Sequence, residues 1–377
     1  MPAVSILIKP ASSGCNIACR YCFYHAISEN REIPCTGVMD DDTLKLLISQ
    51  ALQYAEGFAS FAWQGGEPCL AGLPFYEKTV TYQNAYNQKG LTIQNTIQTN
   101  GLLLDDTWAA FLHQNHFLVG LSLDGTQSVH DRNRVDRQGK GTFTRVMATV
   151  DLLRKYDVDF NICSVLTKQT ANHIEEVYQF FKAQGCTYLQ FIPCMDAPGQ
   201  EKMSYSLTPA LYGKALCTLF DLWYKDFMDG SPVEIRMFSN LAQIAAGFAP
   251  EECGMCGKCN TYFAVESDGS VYPCDFYTHD VDKLGTLADG FQVLYNSPKS
   301  TEFMESSVPK PQKCTACPYF YLCRGGCRNW RPVLPDGSLG VHKLCMGYQI
   351  FFAHCEKRIQ ILGDCIRKKY HLPPIYT

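Results

Sequence analysis

The sequence contains no run of about eighteen apolar residues, no long stretch of one charge sign and, at its start, no basic segment followed by an apolar one. The first absence argues against a membrane-spanning helix, the second against a nucleic-acid or anionic-lipid surface, and the third against secretion. Its 33 basic and 37 acidic residues leave a formal net charge of -4, so partners must be recognised by shape and local chemistry. A cytoplasmic monomer that binds neither nucleic acid nor membrane is the expectation. No repeat at solenoid periods and no low-complexity tract is visible, and a hydrophobic content of 46% is ample for a sizeable core.

What the chain has in excess is cysteine, 20 residues in all. In a reducing compartment, clustered thiols more often bind metal than form disulfides. Cys35, Cys69, Cys163, Cys186, Cys194, Cys217, Cys355 and Cys365 stand singly and read mostly as small buried hydrophobes. The other twelve fall into groups.

Short apolar runs rich in strand formers recur at 4-9, 58-64, 91-100, 117-124, 158-167 and 187-193, with helical periodicity between them, as in "DDDTLKLLISQALQYA" and "HIEEVYQFFKAQG". Six βα units predict an α/β fold built on a parallel sheet, open or closed into a full or partial barrel, with chemistry at the carboxyl ends of the strands. The polar and glycine-rich segments "SSGCNIACRYC", "GGEP", "TNG" and "SLDG" fall at those ends. After about residue 230 cysteine, glycine and turn pairs dominate, "ESDGSVYPCDF" reads as a hairpin around Asp268-Gly269, and a terminal helix runs through "MGYQIFFAHCEKRIQILGDCIRKK". We therefore expect one domain over 1-235 and a second, loop-rich domain over 236-377 that metal must staple.

Cys15, Cys19 and Cys22 lie within eight residues. Three thiolates can hold three irons of a four-iron cube and leave the fourth open to an outside ligand. A structural zinc site completed by His25, or a plain helical stripe at i, i+4 and i+7, are the alternatives. Gly14, Asn16 and Ser12-Ser13 suit a loop better than a helix.

With an aromatic, Tyr21, just before the last cysteine, CxxxCxxC resembles the signature of the radical S-adenosylmethionine superfamily. The resemblance implies a partial (β/α)6 barrel resembling a TIM barrel. It also implies a cluster on Cys15, Cys19 and Cys22, and S-adenosylmethionine chelated at the open iron and cleaved to a 5'-deoxyadenosyl radical. Gly65, Gly66 and Glu67 of "GGEP" resemble the segment that holds the methionine amino group. Ser122 (in "SLDG", with Asp124) and Arg134 resemble positions near the ribose and carboxylate.

The second group, Cys259-x9-Gly269-x4-Cys274, Cys314-x2-Cys317-x5-Cys323-x3-Cys327 and then Cys345, resembles the SPASM extension, whose auxiliary four-iron clusters bring the total to three. By motif, one cluster would take Cys253, Cys259, Cys274 and Cys327, and the other Cys314, Cys317, Cys323 and Cys345. Cys256 is an extra thiol able to replace Cys253 or Cys259, and a zinc ribbon is the alternative for the four central thiolates.

Within the superfamily the chain is most similar to anaerobic sulfatase-maturating enzymes, through "IKPASSGCN", "CFYH", "QGGEP", "QTNG", "FLVGLSLDG", "ESDGSVYPCDFY" and "CRGGCR". The likeness implies oxidation of a cysteine or serine in an extended sulfatase segment to Cα-formylglycine, with a ferredoxin or flavodoxin as electron donor. Asp275 would be the base that takes the target's proton, and Tyr24 and Gln64 would lie close to the peptide. Two other readings compete: a SPASM enzyme that forms a thioether or carbon-carbon crosslink in a peptide, and a zinc-bound adaptor without catalysis.

Overall fold

A computed structural model describes residues 3-196, 202-231 and 233-372. It divides into two compact units whose segments alternate along the sequence. One takes residues up to 123, then 130-161 and 261-303; the other takes 124-129, 162-260 and residues from 304 onward.

Strands are numbered along the chain. In the first unit β1 (Val4–Ile8), β2 (Phe58–Trp63), β3 (Thr92–Thr99) and β4 (Leu118–Ser122) are parallel neighbours in that order. Helix Asp41–Tyr54 joins β1 to β2: the Asp40 carboxylate caps it by accepting from the Thr43 amide, and Leu44, Leu47, Ile48, Ala51 and Leu52 form its buried stripe. Its apolar face and the fully buried Ile6, Ile8, Phe61 and Trp63 make the core.

The other edge of β1 is taken by β8 (Ala264–Val265), parallel and in register with Leu7 and Ile8. The expected hairpin is present: β9 (Ser270–Tyr272) returns antiparallel to β8, through Gly269 at φ 80°, and β10 (Gly285–Thr286) pairs with β9. Only glycine holds that left-handed turn without strain. One consequence governs the site. Lys9 and Glu266, the residues that follow β1 and β8, come side by side.

The second unit holds β5 (Phe160–Leu166) from Ile162 onward, β6 (Tyr188–Pro193) and β7 (Glu234–Ile235), all parallel. Every strand expected from the apolar runs is thus present, and the α/β class stands. Helices Pro209–Met228, Arg236–Ala245 and Cys345–Lys369 pack around Phe220, Phe238 and Phe351. Gly213 and Gly347 let the first and last of these touch backbone to backbone, since a Cβ at Gly213 would lie 2.7 Å from the Gly347 oxygen.

The loop-rich stretch of this unit has a device that composition did not reveal. Arg331, only 4% exposed, donates to the carbonyls of Gly340 (2.9 Å), Pro309 (2.8 Å), Leu339 (3.2 Å) and Ser307 (3.4 Å). Lys310 likewise gives its ammonium to Gly257, Ser307 and Val308. These cations satisfy carbonyls that no regular structure pairs.

Among the single cysteines, Cys69, Cys163, Cys186, Cys194 and Cys355 are buried as expected, Cys217 is half-buried, and Cys35 and Cys365 are exposed. No helix among the described residues is long and apolar enough to cross a membrane.

Candidate active site

The three-cysteine segment is a loop, and Cys22 becomes the N-cap of the short helix Phe23–Glu29. Segment 133-136 braces it: the Ala18 amide donates to the Val135 carbonyl (2.8 Å), and the Arg20 amide to the Asn133 carbonyl (3.0 Å). Arg134 reaches the Cys19 sulfur at 3.9 Å and lies 5.4 Å from the Tyr21 ring centroid. Asn100, after β3, donates to Asn16 at 2.7 Å and approaches the Cys15 sulfur at 3.9 Å. Arg137 donates to the Cys15 carbonyl.

Burial pushes the Cys15 thiol up to about 11 and raises that of Cys22, and each is raised further by nearby negative groups. Without a metal these sulfurs keep their protons, so loading iron releases them. A loop with three sulfurs turned toward cationic and amide donors fits a thiolate-bound cluster. His25 is exposed.

The GGEP turn is built against this loop. The Gly66 amide donates to the Ser12 carbonyl (2.9 Å) and the Glu67 amide to that of Gly14 (2.7 Å). A side chain on Gly66 would collide with the Gly14 carbonyl, while Gly65 sits at φ 113° with Lys9 and the Ser12 carbonyl 3.0 Å from where a Cβ would lie. The two glycines therefore let the two loops touch.

Glu67, 1% exposed, accepts at Oε1 from the Cys69 amide (3.0 Å) and the Thr99 hydroxyl (2.7 Å), and at Oε2 from the Asn100 amide (2.8 Å). Burial raises its pKa, opposed by those donors. Oε2 keeps an acceptor position for a cationic ligand group. Ser122, at the end of β4, accepts from Gln98 at 3.1 Å.

Asp275, Tyr24 and Gln64, distant in sequence, meet. The Tyr24 hydroxyl donates to Asp275 Oδ2 at 2.7 Å, and the Gln64 amide approaches both that oxygen and the Tyr24 hydroxyl at 3.2 Å. Burial and the Asp275 carboxylate hold the Tyr24 phenol well above its ordinary range, so it is a donor. Phe23 stacks beside Tyr24 and Phe276, with ring centroids 4.1 and 5.2 Å away.

Reading the sequence for motifs missed three charged partners of this group: Lys9, Arg31 and Glu266. Lys9 Nζ lies 3.1 Å from Asp275 Oδ1 and 3.5 Å from Glu266 Oε1, and Arg31 lies 2.7 Å from the same Glu266 oxygen. A signal existed in "IKP" and "AVESDG": both put a charge directly against a buried strand.

In the second unit, burial pushes Cys327 up to about 12, and Cys253 and Cys259 lie near enough to add to the shift. Cys323 is pushed to about 11 by burial and then by Cys345, Cys314 and Cys317. The grouped cysteines of this unit thus sort into Cys253, Cys259 and Cys327, with Cys256 beside Cys253, on one side and Cys314, Cys317, Cys323 and Cys345 on the other. Cys274 belongs to the first unit, in the turn after β9. The Cys256 sulfur is turned to the carbonyls of Glu252 (3.6 Å) and Pro250 (3.7 Å).

Comparison with known proteins agrees. Residues 10-181 match the radical SAM superfamily, and residues 251-318 match SPASM, an iron-sulfur cluster-binding domain. A cysteine-type anaerobic sulfatase-maturating enzyme of Clostridium perfringens is 46% identical over 370 residues, covering 97% of this chain and 100% of the relative. A serine-type enzyme of Bacteroides thetaiotaomicron is 33% identical, over 93% of this chain and 88% of its own. The solved structure of native anSMEcpe with bound AdoMet and Kp18Cys peptide superposes with a TM-score of 0.93 at 44% identity, over 97% of this chain and 100% of that one. With this likeness along nearly its whole length, the chain belongs to the family of anaerobic sulfatase-maturating enzymes, within the radical S-adenosylmethionine superfamily.

Proposed function

We propose that this protein oxidises a cysteine of an extended sulfatase segment to Cα-formylglycine, with serine as the second target type. The observation that carries the reading is the Asp275 carboxylate, held by Gln64 and by Tyr24, which stands two residues after the last cysteine of the CxxxCxxC loop. The preference for cysteine rests on the 46% identity to a cysteine-type relative, against 33% to a serine-type one.

Cys15, Cys19 and Cys22 would hold the first cluster. Glu67, with Gly65 and Gly66 shaping its turn, Ser122, Arg134 and Tyr21 would hold S-adenosylmethionine. When bound, these groups supply one-electron reduction and hydrogen-atom abstraction. The chain's own residues do the rest. Asp275 takes the proton of the target thiol or hydroxyl at its carboxylate, Tyr24 and Gln64 orient that carboxylate, and Phe23 and Phe276 shield the group from water.

Residues 236-377 would carry the auxiliary clusters, on Cys253, Cys259, Cys274 and Cys327 and on Cys314, Cys317, Cys323 and Cys345, while residues 1-235 carry the radical chemistry. Cys256, turned to the Glu252 and Pro250 carbonyls, is the extra thiol of this group. The partners in this reading are an unfolded or extended sulfatase segment and a ferredoxin or flavodoxin, and the enzyme acts as a cytoplasmic monomer under anaerobic conditions.

The test is anaerobic incubation of the iron-reconstituted protein with S-adenosylmethionine, reductant and sulfatase-type peptides carrying cysteine or serine. Peptide mass should fall by the thiol-to-aldehyde difference as 5'-deoxyadenosine forms. Deoxyadenosine with an unchanged peptide would move the function to another peptide substrate.

A further inference from the structure

Beyond the base and its two hydrogen-bond partners lies a buried quartet of charges. Lys9 and Asp275, Lys9 and Glu266, and Arg31 and Glu266 are ion pairs at 3.1, 3.5 and 2.7 Å. Lys9 is 2% exposed and Glu266 1%, and each of the three pairs contains one of them, so none is a solvated surface contact. The group sums to zero charge. Lys9 also donates to the Thr278 hydroxyl at 3.2 Å and sits 4.9 Å from the Tyr24 ring centroid, which fixes its ammonium on three sides.

The backbone explains why it can act on Asp275. The Lys9 amide is tied to the Val265 carbonyl at 2.9 Å, continuing the β1–β8 ladder, so the root of its side chain is held beside Glu266, and the contacts of the ammonium hold the other end. The Lys9 contact is to Asp275 Oδ1, which has no aligned hydrogen bond, while Tyr24 and Gln64 hold Oδ2. Charge on one oxygen and donors on the other fix the rotation of the carboxylate. Two further atoms of the quartet, Glu266 Oε2 and Arg31 Nε, have no hydrogen-bond partner among the described residues and belong to residues bordering a cavity of about 10 Å³, at the lower limit of what admits a water.

We infer that Lys9 is a positioning residue for Asp275 and that Glu266, anchored by Arg31, holds Lys9 in place for it. This rests on the function proposed above. A group held within a few tenths of an ångström is what proton transfer from a bound target needs.

The test compares wild type, Lys9→Met, Lys9→Arg and the double variant Lys9→Met/Glu266→Gln. The double variant keeps Arg31 and Asp275 and so restores a neutral group. Three readouts are taken: thermal midpoint, affinity for a labelled target peptide, and aldehyde formed per 5'-deoxyadenosine. Lys9→Met should lower that ratio by about 10- to 100-fold, as loss of a supporting partner typically does, with peptide affinity unchanged. Lys9→Arg should recover part of the ratio. The double variant should regain the thermal midpoint without regaining the ratio.

A wild-type ratio in Lys9→Met, or in the double variant, would overturn the inference and leave Lys9 as a counter-charge for Glu266. A wild type that makes deoxyadenosine and no aldehyde would overturn the proposed function, and this inference with it, before any variant is read.

Discussion

The carbonyl of Gly14 occupies the place where a side chain of Gly66 would be. Two loops that each carry part of the chemistry, one with the cysteines and one with Glu67, are joined at that contact by the Gly66 and Glu67 amides. Gly66→Ala should therefore displace the cysteine loop and cost the first cluster alone. Iron per chain should fall from about twelve to about eight atoms, with deoxyadenosine formation lost. Iron and sulfide analysis after reconstitution measures it.

Asp275→Asn keeps the shape of the side chain and removes its ability to accept a full proton. Aldehyde formation should fall by about 10²- to 10⁴-fold, the usual contribution of a positioned base, while deoxyadenosine still forms. Tyr24→Phe, which removes one donor to Oδ2, should show a smaller loss in the same direction. Quantifying both products in one reaction decides it; aldehyde at the normal rate from Asp275→Asn would place the base elsewhere.

Burial, with Arg331 and Lys343 nearby, pulls His342 down to about 4. Its Nδ1 accepts from the Leu344 amide at 3.0 Å, so the folded protein holds the neutral ring. The unfolded chain takes up a proton near 6.5 that the folded one refuses, and stability falls as pH drops from there toward about 4. The full loss is roughly 3 kcal/mol, of which about 1 kcal/mol is expressed between about pH 7.5 and 5.5. In His342→Asn, whose oxygen can replace Nδ1, the difference in denaturation free energy between those two pH values should shrink by that amount.

Arg331→Met should destabilise the second unit by about 3 kcal/mol or more, because the carbonyls of Gly340, Pro309 and Leu339 lose this donor at once inside the protein, while Ser307 keeps Lys310. Chemical denaturation of the reconstituted enzyme checks this. Arg331→Lys, with a single ammonium in place of the planar fork, should recover only part of the loss.

The elements that were legible in the sequence are those governed by local pattern. β1 to β6 announce themselves as apolar, β-rich runs, Asp268-Gly269 announces a hairpin, and the three cysteines after β1 announce a loop by their glycine, serine and asparagine neighbours. What was not legible depends on long-range pairing. Nothing local says that Ala264 pairs with Leu7, and without that register Lys9 and Glu266 are two unrelated charges. A lysine is so seldom fully buried that no composition rule would place its ammonium in an active site. The carbonyl contacts of Arg331 were hidden for the same reason: they join Ser307, Pro309, Leu339 and Gly340 through one side chain.

Cys22 and Tyr24 are two residues apart, the first capping the helix Phe23–Glu29 and the second lying in its first turn. Sulfur and phenol are thus mounted on a single turn of backbone. In the proposed reaction, seating the sulfur and aiming the proton acceptor would therefore draw on one short stretch of backbone.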